Sequence, residues 1–333
     1  MQGLLRNKNI LIIMPKFFGY DEFIKKELEN MSASVEIIYE NMDEVNWLYR
    51  AAYVYFPKYR DNLMQKYYEK KFKYFQKNFF DYVLVIRGES LLIESIKNLK
   101  TFQKKAYFIM YQWDSVNNNQ NAKNIAGLFD KVLTFDMKDA EKYQWEYRPL
   151  FFCNKNMKQW KEKKYDFMYV CSLHSERVKM YRQLANIIKE YHLSGYLRVF
   201  SKWTRFFKQK YLKHNPAFTK IKVSQMNFKP LDLAQMQDLY ADTKVVVDFT
   251  HPNQNGLTMR TIESIGAGCK LLTNNINIKR TSMYNPNNIY VYQNNFDNIA
   301  KDFWEKPYEP LEKEKYEYYS LRGWIKDVFE IIK

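Results

Sequence analysis

Short apolar runs alternate with longer amphipathic stretches along nearly the whole chain, and this alternation limits the possible folds more than any other feature. NILIIM (9–14), SVEIIY (34–39), DYVLVI (81–86), KAYFIMY (105–111) and KVLTF (131–135) read as buried strands. Between them lie helical patterns such as YDEFIKKELENM, ESLLIESIKNL and AEKYQW. Strands apolar on both faces, alternating with helices over short connections, predict a doubly wound, mostly parallel sheet. Residues 154–164, NKNMKQWKEKK, are polar and basic with no strand period, as an exposed linker should be. A second series follows, with strands in YDFMYVC (165–171), YLRVF (196–200), KVVVDF (244–249) and CKLLTN (269–274). The helical patterns ERVKMYRQLANIIKEY, LDLAQMQDLYAD and LTMRTIESIG separate them.

At 333 residues the chain exceeds the usual domain length of roughly 100 to 200 residues, so two domains are expected. The boundaries read from the pattern are 1–153 and 165–310, with 311–333 as one C-terminal helix packing back toward the N-terminal domain. No repeat of fixed period links the halves. The class is α/β: two Rossmann-like domains facing each other across a cleft. Such sheets bind ligands outside the carboxyl ends of their strands, so residues just after strands are the candidates for function.

Composition narrows the functional classes. With 46% hydrophobic residues and only 9 Gly and 9 Pro, the chain can bury a core and is not a disordered segment. Uninterrupted apolar runs such as YVLVI fall far short of the roughly 20 residues that span a bilayer. The N-terminal MQGLLRNKNILIIMPKFF lacks a small-residue cleavage site and reads as a first strand rather than a signal peptide. Cys153, Cys171 and Cys269 are scattered and odd in number, which fits a reducing compartment and gives no zinc pattern. A cytoplasmic protein is expected. The net charge of +16, together with 28 Tyr and 24 Phe, points to phosphate-bearing partners or to a solvated basic surface.

The strand KVVVDF runs into THPNQNGLTMRTIESIGAG. A helix from about Leu257 would turn Met259, Ile262 and Ile265 toward the core and set Arg260 and Glu263 on another face. Gly256 before it allows a ligand close to the backbone, and the free amides of the first turn favour a phosphate. Taken alone, an Arg and a Glu three apart read as an ordinary surface pair on a helix that ends at the Gly266 and Gly268 turn.

The string NGLTMRTIESIGAGCKLLTNN resembles the nucleotide-sugar half of GT-B glycosyltransferases, particularly those of lipopolysaccharide and capsule synthesis. DYVLVIRGESL, YFIMYQWDS and YDFMYVCSLHSERVKMY agree with it in the family's order and extend it over most of the chain. The resemblance implies transfer of a sugar from a nucleotide-diphosphate donor to a hydroxyl of a cell-surface glycan acceptor. It makes Glu263 the ribose ligand and the turn Gly256–Thr258–Arg260 the diphosphate site. Many retaining members carry a second glutamate with seven residues between the two; that position here is Asn255, the remaining candidate for donor contact. In CSLHSERVKMY, Arg177 stands where related enzymes commonly meet the diphosphate, with Ser172 and His174 beside it. The alternative for His174 is a hydrogen-bonded loop histidine.

An inverting transfer also needs a base where a strand opens toward the acceptor. Asp114 in YQWDS and Glu89 in VIRGESL each follow a strand of the first half, and Asp21 in PKFFGYDEF is the third candidate. Asp114 or Glu89 would instead be a helix cap or a first-turn acid. Trp113 offers a flat face for an acceptor sugar. No DxD occurs, so metal independence is expected, with arginines and helix dipoles bearing the diphosphate charge. No cofactor beyond the donor substrate is implied.

SKWTRFFKQKYLKH (201–214) interleaves basic and aromatic residues, with Trp203, Phe206, Phe207 and Lys210 sharing one side at helical spacing. Residues 53–80 have a similar mixture. Each is either a peripheral contact with an anionic membrane or a core-packing helix with a basic outer face. Contact at the inner face of the cell membrane gains weight if the acceptor is lipid-linked. Two readings compete with the glycosyltransferase: a polyol-phosphate transferase on a related scaffold and a basic nucleic-acid-binding protein. No zinc-finger pattern or aromatic RNA-binding strand supports the latter, and nucleic acid is not expected as a partner. PKFFGYDE after the first strand also lacks the GxGxxG of a dehydrogenase or epimerase.

Overall fold

The computed structural model describes residues 4–40, 56–153, 156–173, 175–219, 221–250, 255–293, 295–296 and 299–331. The chain divides into two compact units, Met1–Leu150 with Leu321–Lys333, and Phe151–Ser320.

In the first unit, β1 (Asn9–Met14), β2 (Ser34–Tyr39), β3 (Tyr82–Ile86), β4 (Tyr107–Gln112), β5 (Lys131–Thr134) and β6 (Glu146–Tyr147) form one sheet. Its order is β2-β1-β3-β4-β5-β6 and every pairing is parallel. Ile10 to Met14 are all fully buried, as a strand covered on both faces requires. The helix Pro57–Tyr74 packs Met64, Tyr68 and Phe72 into this core while Lys66, Lys70, Lys71 and Lys73 stay exposed. The described part of the 53–80 mixture is thus a core-packing helix with a basic outer face.

The second unit holds β7 (Tyr165–Ser172), β8 (Gly195–Phe200), β9 (Met226–Asn227), β10 (Thr243–Asp248), β11 (Lys270–Thr273) and β12 (Ile289–Val291). The order is β12-β11-β10-β7-β8-β9, again parallel throughout. Phe167 and Tyr169 of β7, Val245 and Val247 of β10, and Leu184 of the Ser175–Glu190 helix share its core with Trp304.

Both units are doubly wound α/β sheets, yet their strand orders differ. The second unit numbers as 3-2-1-4-5-6, the dinucleotide-binding order, and its direction reverses between β7 and β10. The first numbers as 2-1-3-4-5-6, with the reversal between β1 and β3. These two points are where a ligand crevice opens beyond the strands.

The expected single C-terminal helix is two helices, Lys313–Tyr319 and Leu321–Val328. Ser320 between them is extended, with ψ 156°, and bridges to Phe152, whose N–H donates to Tyr319 O at 2.9 Å. Strand-like pairing there overrides a continuous helical propensity. Beyond the break Trp324 is fully buried, its ring 4.9 Å from that of Tyr111 in the first unit's sheet. Three short strands, β6, β9 and β12, escaped the sequence pattern because two or three residues are too few to show a period. Among the described residues, no helix is long and apolar enough to cross a membrane.

Candidate functional site

At the reversal point of the second unit, the chain leaving β10 is organised by one carboxylate. Asp248 is fully buried and accepts hydrogen bonds from the hydroxyls of Thr250 (3.2 Å), Thr258 (2.9 Å) and Thr261 (3.0 Å). Its other oxygen pairs with Arg260 Nη1 at 2.7 Å. Thr258 also caps the helix Met259–Gly266, accepting the N–H of Thr261 at 3.1 Å. Burial works most strongly against the Arg260 charge, but the Asp248 carboxylate, with Tyr240, Tyr169 and Cys171 adding to it, raises the guanidinium above its ordinary value. The helix starts two residues later than the sequence suggested, and Met259 is only half-buried while Leu257, Ile262 and Ile265 are buried.

Arg177, on the first helix after β7, donates from Nη1 to Ser172 Oγ at 2.5 Å. The fields of Arg260 and Arg177 both reach the buried Tyr169 and Tyr292 hydroxyls and the Cys171 thiol. Two cations from the first turns of two different helices therefore converge on the carboxyl ends of β7 and β10. Asn255 and Gly256 are fixed from the side: Asn275 Nδ2 donates to both their carbonyls at 3.2 Å, and Asn277 Nδ2 to that of Asn255 at 3.0 Å. Asn274 holds Thr250 by two further bonds, at 2.8 and 3.0 Å. Asp248, Asn274, Asn275 and Asn277 were not singled out from the sequence, although the run TNNIN directly after a strand is a legible signal of loop-fixing side chains.

The structure sets Glu263 apart from Arg260. It is 1% exposed, and its Oε1 accepts the N–H of Cys153 at 3.1 Å. This carboxylate is enclosed within its own unit and oriented by a backbone donor 110 residues away. His174 lies outside the described residues.

The reversal point of the first unit has the opposite character. After β3, Arg87 (φ 77°) and Gly88 (φ 66°) make a left-handed turn, and a Cβ on Gly88 would stand 2.9 Å from Ile125 Cδ1. For a non-glycine such as Arg87 this conformation costs about 1 to 2 kcal/mol and must be held by its surroundings. Glu40 holds it: Oε1 accepts the N–H of Gly88 at 2.5 Å and Oε2 that of Glu89 at 3.2 Å. Gln112 Nε2 and Asn119 Nδ2 each donate to Arg87 O at 2.7 Å. Burial pushes Glu40 up to about 8, against the pull of the two amides and of Arg87.

So held, Arg87 reaches Glu89 at 2.6 Å and Asp114 at 3.1 Å. Two of the three candidate bases thus share one guanidinium. Burial pushes Asp114 up, while Arg87 draws it back. Neither residue is a helix cap: the helix after Glu89 begins at Ile93, and the one after Asp114 at Asn121 with Gln120 at its N-cap. Asp21 is fully buried beside β1; it accepts the hydroxyl of Tyr39 on Oδ2 at 2.8 Å, and its Oδ1 has no hydrogen-bond partner among the described residues. Trp113 packs 5.4 Å from Phe17, and Phe17 and Phe18 are exposed in the loop after β1. Carboxylates and aromatic faces meet here, a combination suited to binding and deprotonating a sugar hydroxyl.

No protein-family model matches the chain, and no curated protein sequence matches it. Solved structures match it over its full length. Apo OtsA superposes with a TM-score of 0.57 at 9% identity, covering 98% of this chain and 100% of its own. HepE from Anabaena, in complex with UDP and glucose, gives 0.51 at 11% identity over 97% and 96% of the two chains. MnaA from S. aureus, in complex with UDP, gives 0.50 at 12% identity over 98% of both. At such identities the likeness is one of fold: along its whole length the chain has the GT-B arrangement of two doubly wound α/β units in succession.

Proposed function

We propose that the protein is a glycosyltransferase that moves a sugar from a nucleotide-diphosphate sugar to a hydroxyl of a glycan acceptor. The observation that carries this reading is the contrast between the reversal points, paired guanidiniums in one unit and paired carboxylates in the other. The UDP complexes of the GT-B-fold proteins MnaA and HepE support a nucleotide donor.

In this reading Arg177, Arg260 and the first turn of the Met259–Gly266 helix, with Ser172, Thr258, Gly256 and Asn255 around them, receive the donor diphosphate. Glu263 supports the site from within by fixing the segment at Cys153. Asp114 accepts the proton of the acceptor hydroxyl, and the freed oxygen attacks the anomeric carbon as its bond to the diphosphate oxygen breaks. The leaving charge is borne by the two arginines and the helix amides. Glu89 and Arg87 tune and orient Asp114, and Trp113 with Phe17 stacks the acceptor sugar. The acceptor we assign is a cell-surface glycan of the lipopolysaccharide or capsule type, built at the cytoplasmic side of the membrane. The reaction runs without a divalent metal, so EDTA should leave the rate unchanged.

Thermal shift against UDP, GDP and inorganic diphosphate tests the donor site. Stabilisation by a nucleoside diphosphate that weakens in Arg177→Ala, by about tenfold in affinity, is the expected result; no stabilisation by any of them would sink the reading. A polyol-phosphate transferase uses the same donor chemistry, and mass spectrometry of the product separates the two by whether the acceptor gains a sugar or a phosphopolyol.

A further inference from the structure

The basic, aromatic stretch 201–214 folds in a way its spacing did not foretell. Trp203–Phe207 is α-helical and continues as a π-helical turn over Lys208–Leu212. Phe206 and Lys210, expected on the same side as Trp203 and Phe207, turn inward instead. Phe206 is fully buried, its ring 6.1 Å from Phe218 and 5.5 Å from Phe228. Lys210 Nζ donates to the carbonyls of Phe218, Thr219 and Ile221 and lies 5.5 Å over the Phe206 ring. These two side chains anchor the segment to its unit.

What they leave outside is an apolar row. Trp203 is 63% exposed, Phe207 41%, Tyr211 52% and Leu212 77%. Trp203 sits 6.4 Å from Phe207, which stacks on Tyr211 at 5.6 Å. Lys202, Arg205, Lys208 and Lys213 are exposed among them. From Tyr191 to Leu231 the chain has no Asp or Glu at all, while Arg198, Lys220, Lys222 and Lys229 add to the positive charge.

We propose that this face docks on an anionic lipid bilayer, with Trp203, Phe207, Tyr211 and Leu212 entering the headgroup boundary and the four exposed cations meeting lipid phosphates. Charge complementarity excludes a second copy through the same face, since no acid is present to meet the lysines. Nucleic acid fits less well: Phe207 and Tyr211 stack on each other rather than leaving a slot for a base, and Leu212 has nothing to do against a phosphate. A hydrocarbon boundary accepts all four side chains. Because Phe206 and Lys210 hold the row in place, little ordering remains to be done on contact. Trp203, Phe207, Tyr211 and Leu212 are not among the side chains assigned to the donor, so either role can fail without the other.

Co-sedimentation of the full chain with phosphatidylcholine vesicles, and with equimolar phosphatidylcholine and phosphatidylglycerol, tests this. Binding to the anionic vesicles only is expected, weakening as salt rises. Each cation at such a surface accounts for about a fivefold change in partition, so Lys202→Gln/Arg205→Gln/Lys208→Gln/Lys213→Gln should lower it well over tenfold. Trp203→Ser/Leu212→Ser should lose at least about tenfold through the apolar part. Both variants should keep the wild-type melting temperature and nucleotide response, since only exposed side chains change. Quenching of tryptophan fluorescence by bromolipid should diminish in Trp203→Phe. Equal partition to both vesicle types, full binding by either variant, or tighter binding to duplex DNA than to anionic vesicles at the same salt overturns the proposal.

Discussion

The two reversal points occupy equivalent places in their sheets and have opposite chemistry. Beyond β7 and β10, one fully buried carboxylate, Asp248, is surrounded by hydroxyls and an arginine, and a second arginine stands on the helix that follows β7. Beyond β1 and β3, one arginine is surrounded by carboxylates, with a third acid, Glu40, fixing the turn that carries it. In the function proposed above, the same backbone device, a loop leaving a parallel strand, serves anion binding in one unit and proton acceptance in the other. Side-chain chemistry, not topology, divides the roles.

The largest test of that division is Asp114→Asn. Loss of the base should lower the transfer rate by about 10² to 10⁴, while stabilisation by UDP stays as in wild type. A variant that loses nucleotide binding as well would blur the two sites into one. Next is Asp248→Ala, which leaves the half-buried Arg260 without its counter-charge and the hydroxyls of Thr250, Thr258 and Thr261 without their acceptor; chemical denaturation should show a loss of about 3 kcal/mol. An unchanged midpoint would mean that the threonines and Arg260 hold the loop without it.

Glu40 sharpens the contrast through pH. In the unfolded chain this group ionises near its ordinary 4.5, and in the folded chain at about 8. The folded state therefore keeps the proton through that window, so stability falls as pH rises from 4.5 toward 8 and is level on either side. We expect a total on the order of 2 to 3 kcal/mol, less than the full shift implies because a loop beside solvent relaxes. Glu40→Gln should flatten this part of the curve; the same slope in the variant would place its origin elsewhere. The smallest effect expected is that of Arg177→Ala, about tenfold in nucleotide affinity for one lost charge-assisted contact. Arg87→Ala, its counterpart in the first unit, should leave that affinity untouched and shift the pH dependence of transfer upward as Asp114 loses the cation that draws it down.

How much of this was legible beforehand follows the range of the interactions. NILIIM and SVEIIY became β1 and β2 residue for residue, because a strand buried on both faces is recorded in consecutive letters. Arg87, by contrast, received no role in the sequence reading, and Glu40 could not be linked to the Gly88 amide 48 residues away by any local pattern. Arg260 and Glu263 looked like one pair on a helix face; the fold gave them separate partners, Asp248 and the Cys153 N–H. The row at 201–214 shares one side at α-helical spacing, but packing against Phe218 and Phe228 takes Phe206 inward and three backbone carbonyls take Lys210 with it.

The sequence by itself determined two α/β units, the position of their principal strands, a positive net charge and the set of polar residues that follow the strands. These depend on period, composition and order, which act between near neighbours or on the chain as a whole. Only the tertiary structure decided the strand order of each sheet, and with it where the crevices open and which acids and arginines meet in them. A parallel sheet joins its strands through long crossovers, so the residues that share a strand-end site come from distant segments, and their pairing exists only once the sheet has formed.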